Sequence, residues 1–228
     1  MNKKILIVAA HPDDEVLGCG GTVAKLVKQG YEAYTLILGE GKTSRGIVTD
    51  ETKKEIEELN EEMQQANEIL GIKKVFSLNF PDNSFDAVSL LSIVKEIETI
   101  KNQIKPEIIF THHIGDMNID HQITHKAVLT ATRPMQDECV KEIYSFEIPS
   151  STEWNSFSAL TAFIPNVFYD ITETIDLKIS AMAKYNSELR DYPHPRSLQH
   201  INELSKVNGT KVGLKYSENF MLVRAIKN

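Results

Sequence analysis

Four times in its first 132 residues the chain passes from a short apolar run to a longer stretch with helical spacing. Residues 4–10 (Lys-Ile-Leu-Ile-Val-Ala-Ala) form an almost unbroken apolar run, the mark of a strand buried on both faces of a parallel sheet. A helix is predicted over 15–29, ended by Gly30, and a second strand over 31–38. Residues 49–70 are rich in Glu and Lys. They carry Ile56, Leu59, Met63, Ala66, Ile69 and Leu70 at steps of three and four, an amphipathic helix stopped by Gly71. Strand 74–78, helix 89–104, strand 107–111 and helix 121–132 complete the alternation. The last third is less regular. Strands are predicted at 142–148, 166–171 and 220–226, and helices at 174–189 and 197–207. Such alternation predicts one α/β domain over 1–228: a Rossmann-like open sheet, mostly parallel, with helices on both faces. Residues 1–135 form its core and 136–228 an irregular portion that shapes the substrate site.

That architecture says where to look for chemistry. Ligands of open α/β sheets bind beyond the carboxyl ends of the strands, where strand order reverses. In the common order 3-2-1-4, the exits of strands one and four meet there. The first exit reads His11-Pro12-Asp13-Asp14-Glu15, and the second runs from Thr111 through His112, His113, Asp116, Asn118 and Asp120 to His121. Of the 7 His, positions 11, 112, 113, 121 and 125 lie in or beside these segments; only His194 and His200 lie elsewhere. Two His and one carboxylate are the donor set of a hydrolytic zinc site with open positions. His11 and Asp14, three apart, share a face of a helical turn, and His121 is the expected third ligand. Asp13 then points elsewhere and is free to act as base on a zinc-activated water. Each piece alone also has an ordinary structural reading: Asp13 as a helix cap, His112 and His113 as loop residues.

Composition removes several other functions. Lys and Arg total 25 against 32 Asp and Glu, a net charge of −7, which argues against nucleic acid as a partner. Hydrophobic residues make up 41%, enough for a packed core. No apolar stretch reaches the roughly 18 residues of a membrane helix. The apolar run after Lys4 is cut off by His11, too soon for a signal peptide, so a cytoplasmic location is expected. Cys19 and Cys139 have no metal or redox spacing and are expected as reduced thiols. Gly18, Gly20 and Gly21 follow the acidic motif instead of preceding it. They are expected to serve helix–sheet packing, not a dinucleotide.

The segment Ala10-His11-Pro12-Asp13-Asp14-Glu15 resembles the signature of the PIG-L/LmbE-type zinc-dependent N-deacetylases. Asn118-Ile119-Asp120-His121 resembles their second motif, commonly H-x-D-H or N-x-D-H. The likeness covers about residues 3–135 and continues more loosely beyond. It implies Zn2+, or another divalent metal such as Fe2+, held by His11, Asp14 and His121, with Asp13 as general base. It also implies removal of the N-acetyl group from an amino sugar, free, nucleotide-linked or otherwise conjugated, and assembly as a homo-oligomer. The alternatives are an amidase of a sugar–thiol conjugate using the same site, and a non-catalytic metal or nucleotide-sugar binding module; the free carboxylate of Asp13 favours catalysis.

Asn118 departs from the H-x-D-H form. Its amide can donate to an oxyanion but carries no charge and no transferable proton. It and Asp120 are counted with the catalytic residues. Asp120 either orients a His from behind or caps the helix. Substrate contacts are expected from Arg45 after strand two, Asp82 after strand three, His113, and the turn containing His194 and Arg196. Arg45 and Asp82 read equally as solvated loop and turn residues.

Overall fold

The computed structural model describes residues 3–42, 49–156, 158–159 and 161–227. Among the described residues, seven strands form one sheet in the order β3-β2-β1-β4-β5-β7-β6. Strands β1 (Lys4–Ala9), β2 (Glu32–Gly39), β3 (Lys74–Phe80), β4 (Ile108–His112) and β5 (Glu142–Phe146) run parallel. Strand β7 (Ser217–Ala225) is antiparallel to both β5 and β6 (Val167–Asp170). The order reverses between β1 and β4, paired in register from Ile5–Ile108 to Val8–Thr111, so the exits of these strands lie side by side.

The β1 run lies between two cores, as its unbroken apolar character requires. Successive side chains of a strand point to opposite faces. Ile5, Ile7 and Ala9 enter one core, with helices α1 (Asp14–Lys28), α2 (Asp50–Leu70), α5 (Ile175–Met182) and α6 (Leu198–Thr210). Leu6, Val8 and Ala10 enter the other, with α3 (Leu90–Ile104) and α4 (Ile119–Ala131). Helix α2 starts with a reciprocal cap between Thr49 and Thr52 and ends at Gly71, whose φ of 78° is left-handed. The glycines of α1 do serve close packing: a Cβ on Gly18 would sit 2.4 Å from the Phe146 ring, and one on Gly21 3.0 Å from Ile171.

Some boundaries differ from those expected. Helix α4 begins at Ile119, before His121, because Asn118 caps it. Strand β3 runs on to Phe80, and β7 begins at Ser217, three residues before the expected 220. The helix expected over 174–189 stops at Met182. Turns then carry the buried Tyr185 under α1, where its hydroxyl donates to Glu15, and bring Glu188 to the pocket beyond β1. Both cysteines are free thiols. Among the described residues, no helix is long and apolar enough to cross a membrane.

Candidate metal centre and active site

The turn after β1 places His11, Asp13 and Asp14 at the β1/β4 crevice, and the capped start of α4 brings His121 across from them. Asp14 is the hub. Its Oδ2 accepts the His11 backbone N–H at 2.9 Å and lies 3.5 Å from His11 Nδ1 and 3.3 Å from His121 Nε2. Two ligands about 2.1 Å from one tetrahedral ion stand about 3.4 Å apart, so these spacings fit a shared ion. One ligand atom from each of His11, Asp14 and His121 falls within 4.8 Å of the others.

The second nitrogen of each imidazole meets a different carboxylate. His11 Nε2 is 3.0 Å from Asp120 Oδ2, and His121 Nδ1 is 3.1 Å from Asp116 Oδ1. The first is a hydrogen bond of the kind that fixes ring orientation and tautomer behind a metal; the second is a close approach without hydrogen-bond geometry. Asp120 is itself held, accepting the Phe85 N–H at 2.9 Å; Asp116 accepts from the hydroxyls of Ser151 and Thr152. His11 Nε2 also lies 3.3 Å from Asp82 Oδ1, so His11, Asp82 and Asp120 form a second group with metal-competent spacing. The two-His, one-carboxylate set is the better match to a hydrolytic zinc site.

Electrostatics follow from this packing. Burial alone would lower the pKa of His11, but Asp120 and Asp14 outweigh it and hold it at about 10. Burial likewise opposes charge on His121, yet Asp14 and Asp116 raise it to about 9. Asp14 is buried too, but the facing imidazoles, chiefly His121, keep its carboxyl well below the usual range. The metal-free site thus carries protons at positions an ion would take. His112 Nε2 also comes within 3.4 Å of Asp14 Oδ2, but it accepts the Ala10 N–H at 2.9 Å, which places the proton of the neutral ring on Nδ1. Burial keeps it neutral, and it stacks on His121 at 3.9 Å between centroids.

Asp13 occupies an unusual backbone position, with φ at 97°, and its side chain makes no cap hydrogen bond to α1. Such a conformation costs of order 1–3 kcal/mol and needs support. Glu15 supplies it, accepting the Asp13 N–H at 3.1 Å while Tyr185 and Asn67 donate to its other oxygen at 2.5 and 2.8 Å. Burial pushes the Asp13 carboxyl well up, opposed by Arg196, whose Nη1 is 3.3 Å from Asp13 Oδ2. A pocket of about 610 Å³ opens from these residues.

Asp82, Asn118, His194 and Arg196 line that pocket. Both polar atoms of the Asn118 amide are occupied: Oδ1 caps α4 through the Asp120 N–H, and Nδ2 donates to Asn83. The helix cap is therefore Asn118, and Asp120 turns to His11. His113, expected as a substrate contact, is not among the residues lining this pocket: its Nε2 is 3.1 Å from the Thr161 carbonyl, and its ring meets Phe163. His125 is likewise held by the His112 carbonyl, 2.8 Å from its Nδ1. Arg45 lies outside the described residues. Lining residues missed in the sequence include Lys42, Trp154, Glu188 and Arg190. Asp116 was also missed, although it stands in the same strand-four exit as His121; the others come from loops with no motif to mark them.

Residues 6–132 match the PIG-L family, described as GlcNAc-PI de-N-acetylase. An uncharacterized deacetylase of Escherichia coli, YaiS, is 30% identical over 192 residues, covering 81% of this chain and 91% of that one. The diacetylchitobiose deacetylase of Thermococcus kodakarensis is 25% identical, covering 98% and 84% respectively. Among solved structures, the N,N'-diacetylchitobiose deacetylase of Pyrococcus horikoshii superposes with a TM-score of 0.78 at 20% identity, over 97% of this chain and 84% of that one.

Proposed function

This chain belongs to the PIG-L, or GlcNAc-PI de-N-acetylase, family, and from that premise we propose that it is a metal-dependent hydrolase releasing acetate from an N-acetylated amino sugar, free or conjugated. The observation that carries the reading is the bracketing of two imidazoles: each has one nitrogen on Asp14 and the other on its own carboxylate. His11, Asp14 and His121 would hold the ion, zinc or another divalent metal such as iron. Bound there, it supplies Lewis acidity toward an amide carbonyl and toward water.

The rest falls to the chain's own residues. Asp120 and Asp116 orient the two imidazoles from behind. Asp13 takes a proton from the attacking water and returns it to the nitrogen as the C–N bond breaks, so that acetate and the free amine leave. Burial raises the proton affinity of this carboxyl, and Arg196 opposes the rise. Glu15, through the Asp13 N–H, keeps the strained turn in place.

The test is Asp13→Asn, assayed for metal content and for acetate release from a panel of N-acetyl sugars. Metal content is expected to stay at the wild-type level while the rate falls about 10²- to 10⁴-fold. A full rate in Asp13→Asn would overturn the assignment of the base.

A further inference from the structure

The pocket lining includes one guanidinium that makes no ion pair with the described residues. Lys42 and Arg196, both lining the pocket, meet Glu188 at 2.5 and 3.1 Å, and Arg196 also reaches Asp13. Arg190 differs. Its Nη1 donates to the carbonyls of Ser187 and Leu189 at 2.9 and 2.8 Å, bonds that fix the guanidinium against its own loop. No carboxylate among the described residues pairs with it, and the undescribed residues include no Asp or Glu side chain. Arg190 is exposed at the pocket, so its guanidinium meets solvent and any ligand there. A planar fork held this way presents its remaining N–H groups to a bidentate oxyanion.

Two neighbours extend the feature. His194 accepts the Arg196 N–H on Nδ1 at 3.0 Å, so in the neutral ring the proton sits on Nε2 as a second donor. Trp154, also in the lining, is 55% exposed, with His194 6.2 Å away, ring to ring. The segment that carries it is held: Thr152 and Ser151, just before it, bond to Asp116, the carboxylate behind His121. An exposed indole on such a segment offers a stacking surface for a planar ring.

We propose that Arg190, His194 and Trp154 form a binding site for a nucleoside diphosphate joined to the amino sugar, the phosphates on Arg190 and His194 and the base on Trp154. This deepens the deacetylase reading and rests on it for the sugar at the Asp13 end, but the site itself can be tested without turnover. Calorimetry on the metal-loaded protein would use UDP, CDP, GDP and ADP, with inorganic pyrophosphate as the base-free probe. At least one nucleoside diphosphate is expected to bind about tenfold more tightly than pyrophosphate. Trp154→Ala should erase that advantage, and Arg190→Met should weaken both about tenfold. In Arg190→Met, acetate release from N-acetylglucosamine 1-phosphate and UDP-N-acetylglucosamine should fall about tenfold relative to release from N-acetylglucosamine methyl glycoside. No nucleotide binding at millimolar concentration, or binding indifferent to both substitutions, overturns the proposal while leaving acetate release from neutral sugars intact. Equal binding of pyrophosphate and every nucleotide overturns the role of Trp154 and assigns the phosphate to a lipid-linked or simple glycosyl phosphate instead. Absence of acetate release from every sugar, with nucleotide binding intact, would instead strike the deacetylase reading.

Discussion

Two clusters of buried charge flank the first helix, and they are built differently. Under α1, Glu218 accepts the N–H groups of Gly21 and Thr22 at 2.9 and 2.6 Å, and Lys178 donates to Leu17 O and to Glu218 at 2.7 and 2.6 Å. An α-helix would bond the N–H of Gly21 to the carbonyl of Leu17. Here the ion pair takes both groups, so its charges close on backbone and on each other. At the start of the same helix, Asp14 faces three imidazoles, two of them with another carboxylate behind, and the cluster opens into the pocket. Backbone and hydroxyl donors hold its carboxylates, and the charge of Asp14 is met by raised proton affinity on His11 and His121. Burial of charge is therefore no mark of function by itself. What separates the two clusters is whether the protein's own groups complete the charge.

That contrast can be broken by experiment, beginning with its largest effect. Glu218→Ala leaves Lys178 buried without its partner and should cost about 3–5 kcal/mol in urea unfolding. Metal content per folded molecule should stay unchanged. Asp14→Ala should do the reverse, abolishing metal binding while costing far less stability in the metal-free protein. Equal metal loss in both variants would erase the distinction. Asp116→Asn is milder: with His121 no longer backed by a carboxylate, metal affinity should fall about 10- to 100-fold in a competition titration.

The smallest effect concerns pH. In the metal-free protein His11 and His121 sit at about 10 and 9, above their ordinary value of 6.5. A raised folded-state pKa stabilises fully below the unfolded value and is lost as pH rises through the folded one. Glu15, raised by burial to about 7, has the opposite sign, destabilising progressively up to that pH and constantly above it. Between pH 7 and 10 only the histidine effect of this set still changes. Chelator-treated protein should therefore lose thermal stability across that window, and melting curves flat over it would show that the open cluster is not held by protons.

Much of the site was legible because its parts sit on short segments with fixed topology. The apolar run of β1, the His11–Glu15 turn and the approach of β4 follow from strand–helix alternation alone. The division of labour between Asp116 and Asp120 did not. It depends on where α4 begins, and Asn118 starts it at Ile119, leaving Asp120 against His11 and Asp116 against His121. The last third was the least readable. Arg196 reaches Asp13 across 183 positions, and Tyr185 reaches Glu15 across 170. No local periodicity encodes such contacts. The helix expected to run to 189 is given up at Met182 so that Tyr185 can make one of them.

The central claim is that one metal ion at His11, Asp14 and His121 enables hydrolysis of an amide. It is met most directly by titrating zinc or ferrous iron back into chelator-stripped protein while following acetate release from an N-acetyl sugar. The rate should rise from background in proportion to bound metal and level off at about one ion per chain. An undiminished rate in the stripped protein would contradict the account.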